Sequence, residues 1–443
     1  MKLKTSQTIR VGFAFLSICA FWQMYDGVIP RILTETFGIG ETVSGVIMSL
    51  DNVLALFLLP FFGGLSDRCR SGMGKRKPFI LCGTVVAVFL MLLLPFLDNM
   101  YYAEPSTAIK VTFIVILGCI LVAMGSYRSP AVALMPDVTP KPLRSKGNAI
   151  INLMGTIGGI LYLGITSVLY SQKRVGGLEH VDYFPLFAIV AGIMVVSLCV
   201  IMFTVNEVKL SKEVEDYEKE HPEENLMEVT EDGKEKLPKE VKRSLVFILC
   251  SIALWFIGYN AVTTWFTSYA KESWNMTLGQ ASTCLTIANI GAILAYIPIG
   301  AIASRVGRRK TIIAGVGMLS GGFLAAFLYT LFFDKFSYGL FVLFLIVGVA
   351  WAAINVNSLP MVLEMCKGNE VGKFTGLYYT FSMSAQIVTP IVAGALIEHV
   401  GMKSLFLYSA IFSGLAILTM LQVKHGDNKI TAKKGLEAFD VED

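Results

Sequence analysis

Three charged side chains stand inside long apolar runs of this 443-residue chain: Asp26, Asp51 and Arg128. Each would cost at least about 2.5 kcal/mol at the centre of a bilayer by insertion scales, so each must face water or a partner. A carboxylate in such surroundings either takes up a proton or demands a counter-charge, which makes it a site for a proton or a metal cation. Asp51, followed by Asn52 in LDNVLAL, lies near the middle of its run and is the first choice for the coupling group. The plainer reading of Asp51 is a static interhelical pair with Arg128. Asp26 is nearer the end of its run and serves as a second coupling group, a solute ligand or part of an outer gate. Arg128 either donates several hydrogen bonds to a hydroxyl-bearing solute or supplies the charge that displaces a proton from a carboxylate. The four histidines, His180, His221, His399 and His425, fall in connecting segments or the tail, so a proton crossing the membrane must ride on a carboxylate.

Uncharged polar and aromatic groups add a second tier. Asn260, Asn289, Asn355, Asn357 and Gln386 lie at cavity depth in later apolar runs, and an amide suits hydroxyl recognition because it both donates and accepts. Each can equally bond one helix to another. Asn355 and Asn357 diverge by about 200° on a helix, so only one of them faces a cavity. Trp22 shares a face with Asp26 at a spacing of four, and Trp255, Tyr259, Trp265 and Trp351 offer further flat apolar faces. Membrane aromatics otherwise anchor or pack. Gly155 and Gly159 in GTIGGILYLG read as helix-packing residues.

The elements that carry these groups follow from hydropathy. The chain is 54% hydrophobic and 16% charged, with a mean hydropathy of +0.64. Crossing about 30 Å of hydrocarbon takes roughly 20 apolar residues in a helix. Twelve such runs are present, near 9–32, 41–63, 78–97, 110–136, 147–171, 183–206, 244–269, 279–303, 311–332, 339–364, 374–397 and 404–422. MKLKTSQTIR leads into the first, whose length marks an uncleaved helix rather than a signal peptide. Residues 207–243, with thirteen acidic and eight basic side chains, read as a solvated cytoplasmic linker that forms a surface helix or stays without structure. The organisation expected is an N-terminal six-helix bundle over 1–206, the linker over 207–243, a C-terminal bundle over 244–422 and a cytoplasmic tail over 423–443. With both termini cytoplasmic, 29 Lys and Arg fall on the inner side and 7 on the outer, which sets the orientation.

Several function classes drop out. The net charge of +4 is too slight to argue for nucleic acid. Eight scattered cysteines without a CxxC pair give neither a disulfide framework nor a zinc site. With no GxxxxGK[ST] loop, no metal-ligand cluster and no nucleophile beside a base, nothing argues for an enzyme, a metal site or a cofactor.

The halves repeat each other. The second run ends in Pro60 and Gly63, followed by Ser66, Asp67, Arg68, Gly74, Lys75, Arg76 and Lys77. The eighth ends in Pro298 and Gly300, followed by Ser304, Arg305, Gly307, Arg308, Arg309 and Lys310. The fourth closes at Pro136 before Gly147, the tenth at Pro360 before Gly372. Parallel repeats of this kind put a substrate site between halves that rock.

Gly63, Asp67 and Arg68, then a Gly and a basic cluster, resemble the signature loop of the major facilitator superfamily. The string SDRCRSGMGKRKPFI at 66–80 resembles the sucrose/proton symporters, a branch related to the glycoside-pentoside-hexuronide cation symporters. PAVALMPDVTPKPLRSKGNA at 130–149 resembles that branch at Pro130, Asp137, Arg144, Asn148 and Ala149. Plant sucrose carriers have an Arg shortly after the equivalent of Pro130, where this chain has Val132, and Arg128 precedes the proline instead. Ser304 stands where the second half of the pattern has an acidic residue.

The resemblance implies an all-α fold of twelve transmembrane helices in two pseudo-symmetric bundles. It also implies proton-coupled symport of a sugar or glycoside, a disaccharide such as sucrose foremost, by alternating access. The expected machinery has Asp51 and Asp26 for cation coupling, with Asp26, Trp22, Asn52, Arg128, Asn260, Asn289 and Asn355 for the sugar. Gly63, Asp67, Arg68, Arg76, Asp137 and Arg144 form the expected cytoplasmic gate. The coupling ion is a proton, with sodium the alternative, and an exporter working by proton antiport is a further one. The expected setting is a bacterial inner membrane, the expected partners a small sugar and lipid, and the expected state a monomer.

Overall fold

The computed structural model describes residues 4–139, 144–220, 238–365 and 371–427. Among them the regular elements are all helical, and twelve are long and apolar enough to cross a membrane. The first half has α1 Thr5–Arg31, α2 Glu41–Asp67, α3 Lys77–Ala103, α4 Thr107–Asp137, α5 Arg144–Leu169 and α6 Phe184–Thr204. The second has α7 Lys239–Trp274, α8 Leu278–Val306, α9 Arg308–Phe332, α10 Gly339–Leu363, α11 Val371–Val400 and α12 Ser404–Leu421. A π-helical turn, Ile32–Thr36, prolongs α1, and Gln172–Val175 forms one short turn before α6.

Helix ends follow local chemistry. Thr277 caps α8, accepting from the Gln280 amide while the Gln280 side chain accepts from the Thr277 N–H. Asn275 stops α7 in the left-handed region, at φ 50°. Several helices outrun their apolar runs: α7 covers Lys239–Trp274 against an expected 244–269, and α11 covers Val371–Val400 against 374–397. Hydropathy marks the thickness of hydrocarbon, whereas a helix continues until its last carbonyls find another partner.

By contacts the chain divides into two compact units, Met1–Ile39 with Leu50–Asn225, and Gly40–Ser49 with Leu226–Asp443. The first turns of α2 therefore group with unit 2. In unit 2 the Thr42 N–H donates to Glu398 at 2.8 Å, and a Cβ on Gly45 would strike the Pro390 carbonyl.

Four helix pairings recur in the two units. In unit 1, α1 packs on α5 and α6, while α3 packs on α4 and α6. In unit 2, α7 packs on α11 and α12, while α9 packs on α10 and α12. Close approach depends on glycine. A Cβ on Gly158 of α5 would collide with the Leu16 carbonyl of α1, and one on Gly348 of α10 with the Ala288 carbonyl of α8. Of the glycines named from sequence, Gly155 meets Cys19 at 2.9 Å, but the nearest atom to a Cβ on Gly159 is 3.4 Å away.

The described parts of the charged segment 207–243 are almost wholly helical, as one of the two sequence readings had it. Glu207–Glu220 is a helix, α7 already begins at Lys239, and residues 221–237 lie outside the described residues. Glu207 is buried rather than solvated. The start of the tail is also packed, with Val423 buried and His425 Nδ1 2.8 Å from Ser244 Oγ.

Candidate functional site

Unit 1 gathers Trp22 and Asp26 from α1, Asp51 and Asn52 from α2, and Arg128 from α4. The placement of α4 is fixed on either side of Arg128. Tyr127 donates to the Ala14 carbonyl of α1 at 2.9 Å, and Ser129 donates to the Leu59 carbonyl of α2 at 2.8 Å. Tyr127 also bonds to Ser17. The Arg128 guanidinium then lies over Trp22, 5.8 Å from the ring centroid, and forms no ion pair among the described residues. The static Asp51–Arg128 pair considered from sequence is therefore absent, although the two remain within electrostatic reach. Asp51 Oδ1 accepts from the neighbouring Asn52 Nδ2 at 2.7 Å. Asp26 lies within electrostatic reach of Asp51, and among the described residues no side chain bonds to it.

Two residues that sequence reasoning missed complete this group. Tyr25 and Tyr162 are both buried and lie within electrostatic reach of Asp26. Their hydroxyls, like the Trp22 Nε1, are buried without a hydrogen-bond partner among the described residues. Tyr25 sits beside Asp26 in the chain, which is a visible signal. Tyr162 sits in the small-residue run of α5, where nothing in the sequence marks it. Buried polar groups are normally satisfied. A cluster of unspent N–H and O–H donors with two carboxylate acceptors on an aromatic floor is chemistry matched to a polyhydroxylated ligand.

The unit 2 amides divide. Asn260 is half-buried, with its Nδ2 unpartnered among the described residues. Asn289 spends one N–H of its Nδ2 on the Leu285 carbonyl of its own helix at 3.0 Å, leaving its oxygen and one N–H for a ligand. Asn357 does the same to Ala353 at 2.9 Å and is buried, whereas Asn355 and Gln386 are half-buried. Of the other aromatic residues singled out from sequence, Trp255 and Trp265 are wholly buried in the unit 2 core, Trp265 donating to the Pro390 carbonyl. Tyr259 and Trp351 stack on each other at 3.7 Å with 5° between planes, both half-buried.

The loop after α2 is organised by Arg76. Its Nη2 contacts Asp67 at 2.5 Å, its Nε contacts Asp137 at 2.7 Å, and its Nη1 donates to Ser66 Oγ and the Gly63 carbonyl. Burial disfavours the Arg76 charge, but the bonds to Asp137 and Asp67 outweigh it and hold the pKa above its ordinary value. Gly63 lets α2 approach α4, since a Cβ there would stand 3.0 Å from Ser129 Oγ. Arg68 is exposed and engages none of the described residues, which sets it apart from the expected gate group. The side chain of Arg144 lies outside the described residues.

Behind this loop stands a group the sequence did not reveal. Glu207 accepts the backbone N–H groups of Lys75, Arg76 and Lys77 at 2.5, 2.9 and 3.0 Å, closing the start of α3. Gly74, at φ +112°, makes room for that carboxylate. Unit 2 repeats the device. Asp427 accepts the Arg308 N–H at 2.6 Å beside Gly307, at φ +104°, and the Arg308 guanidinium pairs with Glu364.

Comparison with known proteins bears on the family and the fold. The family profile of the Major Facilitator Superfamily matches residues 11–273 and 267–440. Sucrose transport protein SUC3 of Arabidopsis thaliana is 29% identical over 139 residues, which is 29% of this chain and 23% of that protein. Sucrose transport protein SUT3 of Oryza sativa subsp. indica is 27% identical over 139 residues, 29% of this chain and 28% of the relative. The match thus spans about a quarter of the length of these relatives. Among solved structures, the nucleoside transporter NupG aligns over 95% of this chain and 100% of its own, with a TM-score of 0.67 and 14% identity. That likeness is one of fold.

Proposed function

Since this chain belongs to the major facilitator superfamily, and is thus a multi-pass membrane transporter of a small solute rather than an enzyme, we propose that its solute is a sugar or glycoside taken up with a proton. A disaccharide such as sucrose is the foremost candidate. The partial similarity to plant sucrose transport proteins supports the substrate class. The observation that carries the reading is local. Unspent hydroxyls on Tyr25 and Tyr162 lie within electrostatic reach of Asp26, Trp22 Nε1 is unspent as well, and Arg128 over Trp22 forms no ion pair among the described residues.

In this reading Asp51 loads the proton and Asn52 orients its carboxylate. Trp22 packs against the C–H face of a sugar ring, while Arg128 and Asp26 bond to hydroxyls. Within unit 2, Asn260, Asn289 and Asn355 keep polar groups suited to hydroxyl recognition. A shift of Arg128 from Trp22 toward Asp51 would replace the proton by a guanidinium as the carboxylate's partner and so release it. Alternating access then carries both solutes inward. Arg76, Asp67, Asp137 and Gly63 serve the cytoplasmic gate, and Arg68 and Arg144 are assigned to it from the sequence motif alone. Both termini face the cytoplasm of a bacterial inner-membrane monomer.

Accumulation of labelled sucrose in proteoliposomes tests this. An imposed inward proton gradient is expected to drive uptake that a protonophore abolishes and sodium leaves unchanged. The nearness of Asp26 to Asp51 favours sodium coupling as the second reading, because two carboxylates can share a metal cation. Sodium-dependent uptake would select that reading. Flux in the outward direction alone would reject both.

A further inference from the structure

About 30 Å along α3 from its start at Lys77, a second titratable group is buried that the transport reading does not use. Asp98 is 0% exposed, and neither of its carboxylate oxygens has a hydrogen-bond partner among the described residues. Thr36 approaches it without hydrogen-bonding geometry. His180, from the segment before α6, brings its Nε2 to 3.7 Å from Asp98 Oδ2 and 2.8 Å from Asn99 Oδ1. The Asn99 amide donates to Asp182 Oδ1 at 2.8 Å, which turns its oxygen toward His180 and assigns a proton to Nε2. The imidazole lies flat on Tyr102, with centroids 4.3 Å apart, and Tyr102 donates to Glu179.

Two basic side chains at this end are already engaged. Arg31 of α1 is buried but pairs with Glu35 at 3.2 Å. Lys110 of α4 donates to the Phe37 carbonyl and faces the Tyr101 ring. Glu35 and Asp182 lie near enough to Asp98 to add negative potential. Tyr183 of the same segment lies within electrostatic reach of Asp98, and Tyr170 is tied to the Asp182 carbonyl. Burial holds the His180 imidazole below its ordinary pKa while Asp182 and Glu35 pull the other way, so the imidazole alone does not retain a proton at neutral pH.

We propose that Asp98 and His180 form a proton-binding site, separate from Asp26 and Asp51, that holds one proton between them and keeps the segment 172–183 docked on α3. With the proton in place, either an imidazolium faces the carboxylate or a neutral imidazole faces the carboxyl group. Neither arrangement leaves an uncompensated buried charge. When the proton leaves to solvent, Asp98 becomes a buried anion beside Glu35 and Asp182 with no cation opposite, and the docked segment loosens. Docking is therefore firm at neutral and mildly acidic pH and weakens as the solution turns alkaline. The site stands whatever solute is carried.

Amide hydrogen exchange over residues 172–183 of the full chain, in lipid nanodiscs from pH 6 to pH 9 and corrected for intrinsic rates, reads this directly. The wild type is expected to lose protection about fivefold or more toward pH 9. Asp98→Asn removes the anion and His180→Arg supplies a permanent cation, so each is expected to abolish that loss. Asp51→Asn is expected to retain it. Protection that is flat in the wild type, or an unchanged alkaline loss in either Asp98→Asn or His180→Arg, would overturn the proposal. Disappearance of the effect in Asp51→Asn would overturn the separateness of the site.

Discussion

A guanidinium resting over an indole keeps its N–H donors unspent, because cation–π attraction acts through the charge and the ring face. Arg128 over Trp22 is in that state, whereas Arg76 has committed its donors to Asp67, Asp137, Ser66 and Gly63. A lysine in place of Arg128 keeps the charge and loses the planar fork. Arg128→Lys is therefore expected to raise the KM for sugar uptake about tenfold while changing the maximal rate less than twofold. Equal loss in both would assign Arg128 to positioning. Asp67→Asn weakens the network around Arg76 and is expected to slow transport while equilibrium sugar binding persists, and equal loss of both would count against a gating role. Asp26, Asp51 and Arg128 were legible because a charge inside an apolar run always needs an explanation. Asp98 was not, since it follows the apparent end of the third run at 97 and reads as a surface residue there. Nor could sequence tell that Asn289 turns its amide back on Leu285, because that depends on a rotamer.

Helix ends and helix contacts carry the next scale. Glu207 closes three N–H groups at the start of α3 from a distance of about 130 residues in the chain. Composition hid it inside a charged stretch, and only packing singles it out. Glu207→Gln keeps the shape but removes the charge that complements the helix terminus. A loss of about 1–2 kcal/mol in thermal or denaturant unfolding is expected, and an unchanged midpoint would contradict the anchoring role. The glycines of α5 allow a paired test. Gly158→Ala drives a methyl group into the Leu16 carbonyl and is expected to cost about 1–3 kcal/mol. Gly159→Ala meets its nearest neighbour at 3.4 Å and gains helix propensity, so its melting midpoint should hold or rise. Equal destabilisation by both would show that helix spacing is set elsewhere. From sequence the motif pointed at Gly155 and Gly159. The rotation of α5 about its axis, which sequence does not fix, brings Gly158 as well as Gly155 against α1 and leaves Gly159 looser.

At the scale of the molecule, the number and order of the membrane helices could be read from hydropathy because lipid thickness imposes one length on every span. The internal repeat could be read from its loops, and the recurrence of four helix pairings in each unit is its physical counterpart. Less legible was the division of α2, whose first turns group with unit 2 through Glu398 and the close approach of Gly45 to Pro390. An apolar run carries no mark of which neighbours its successive turns will meet. The account rests on Asp51 as the proton carrier, and Asp51→Asn in proteoliposomes tests that most directly. Exchange of labelled sucrose at equal concentrations across the membrane needs no net proton movement, whereas accumulation against a gradient does. The account predicts that the variant exchanges sugar at a rate within about threefold of wild type and accumulates none under an imposed pH gradient. Accumulation at the wild-type level would contradict it.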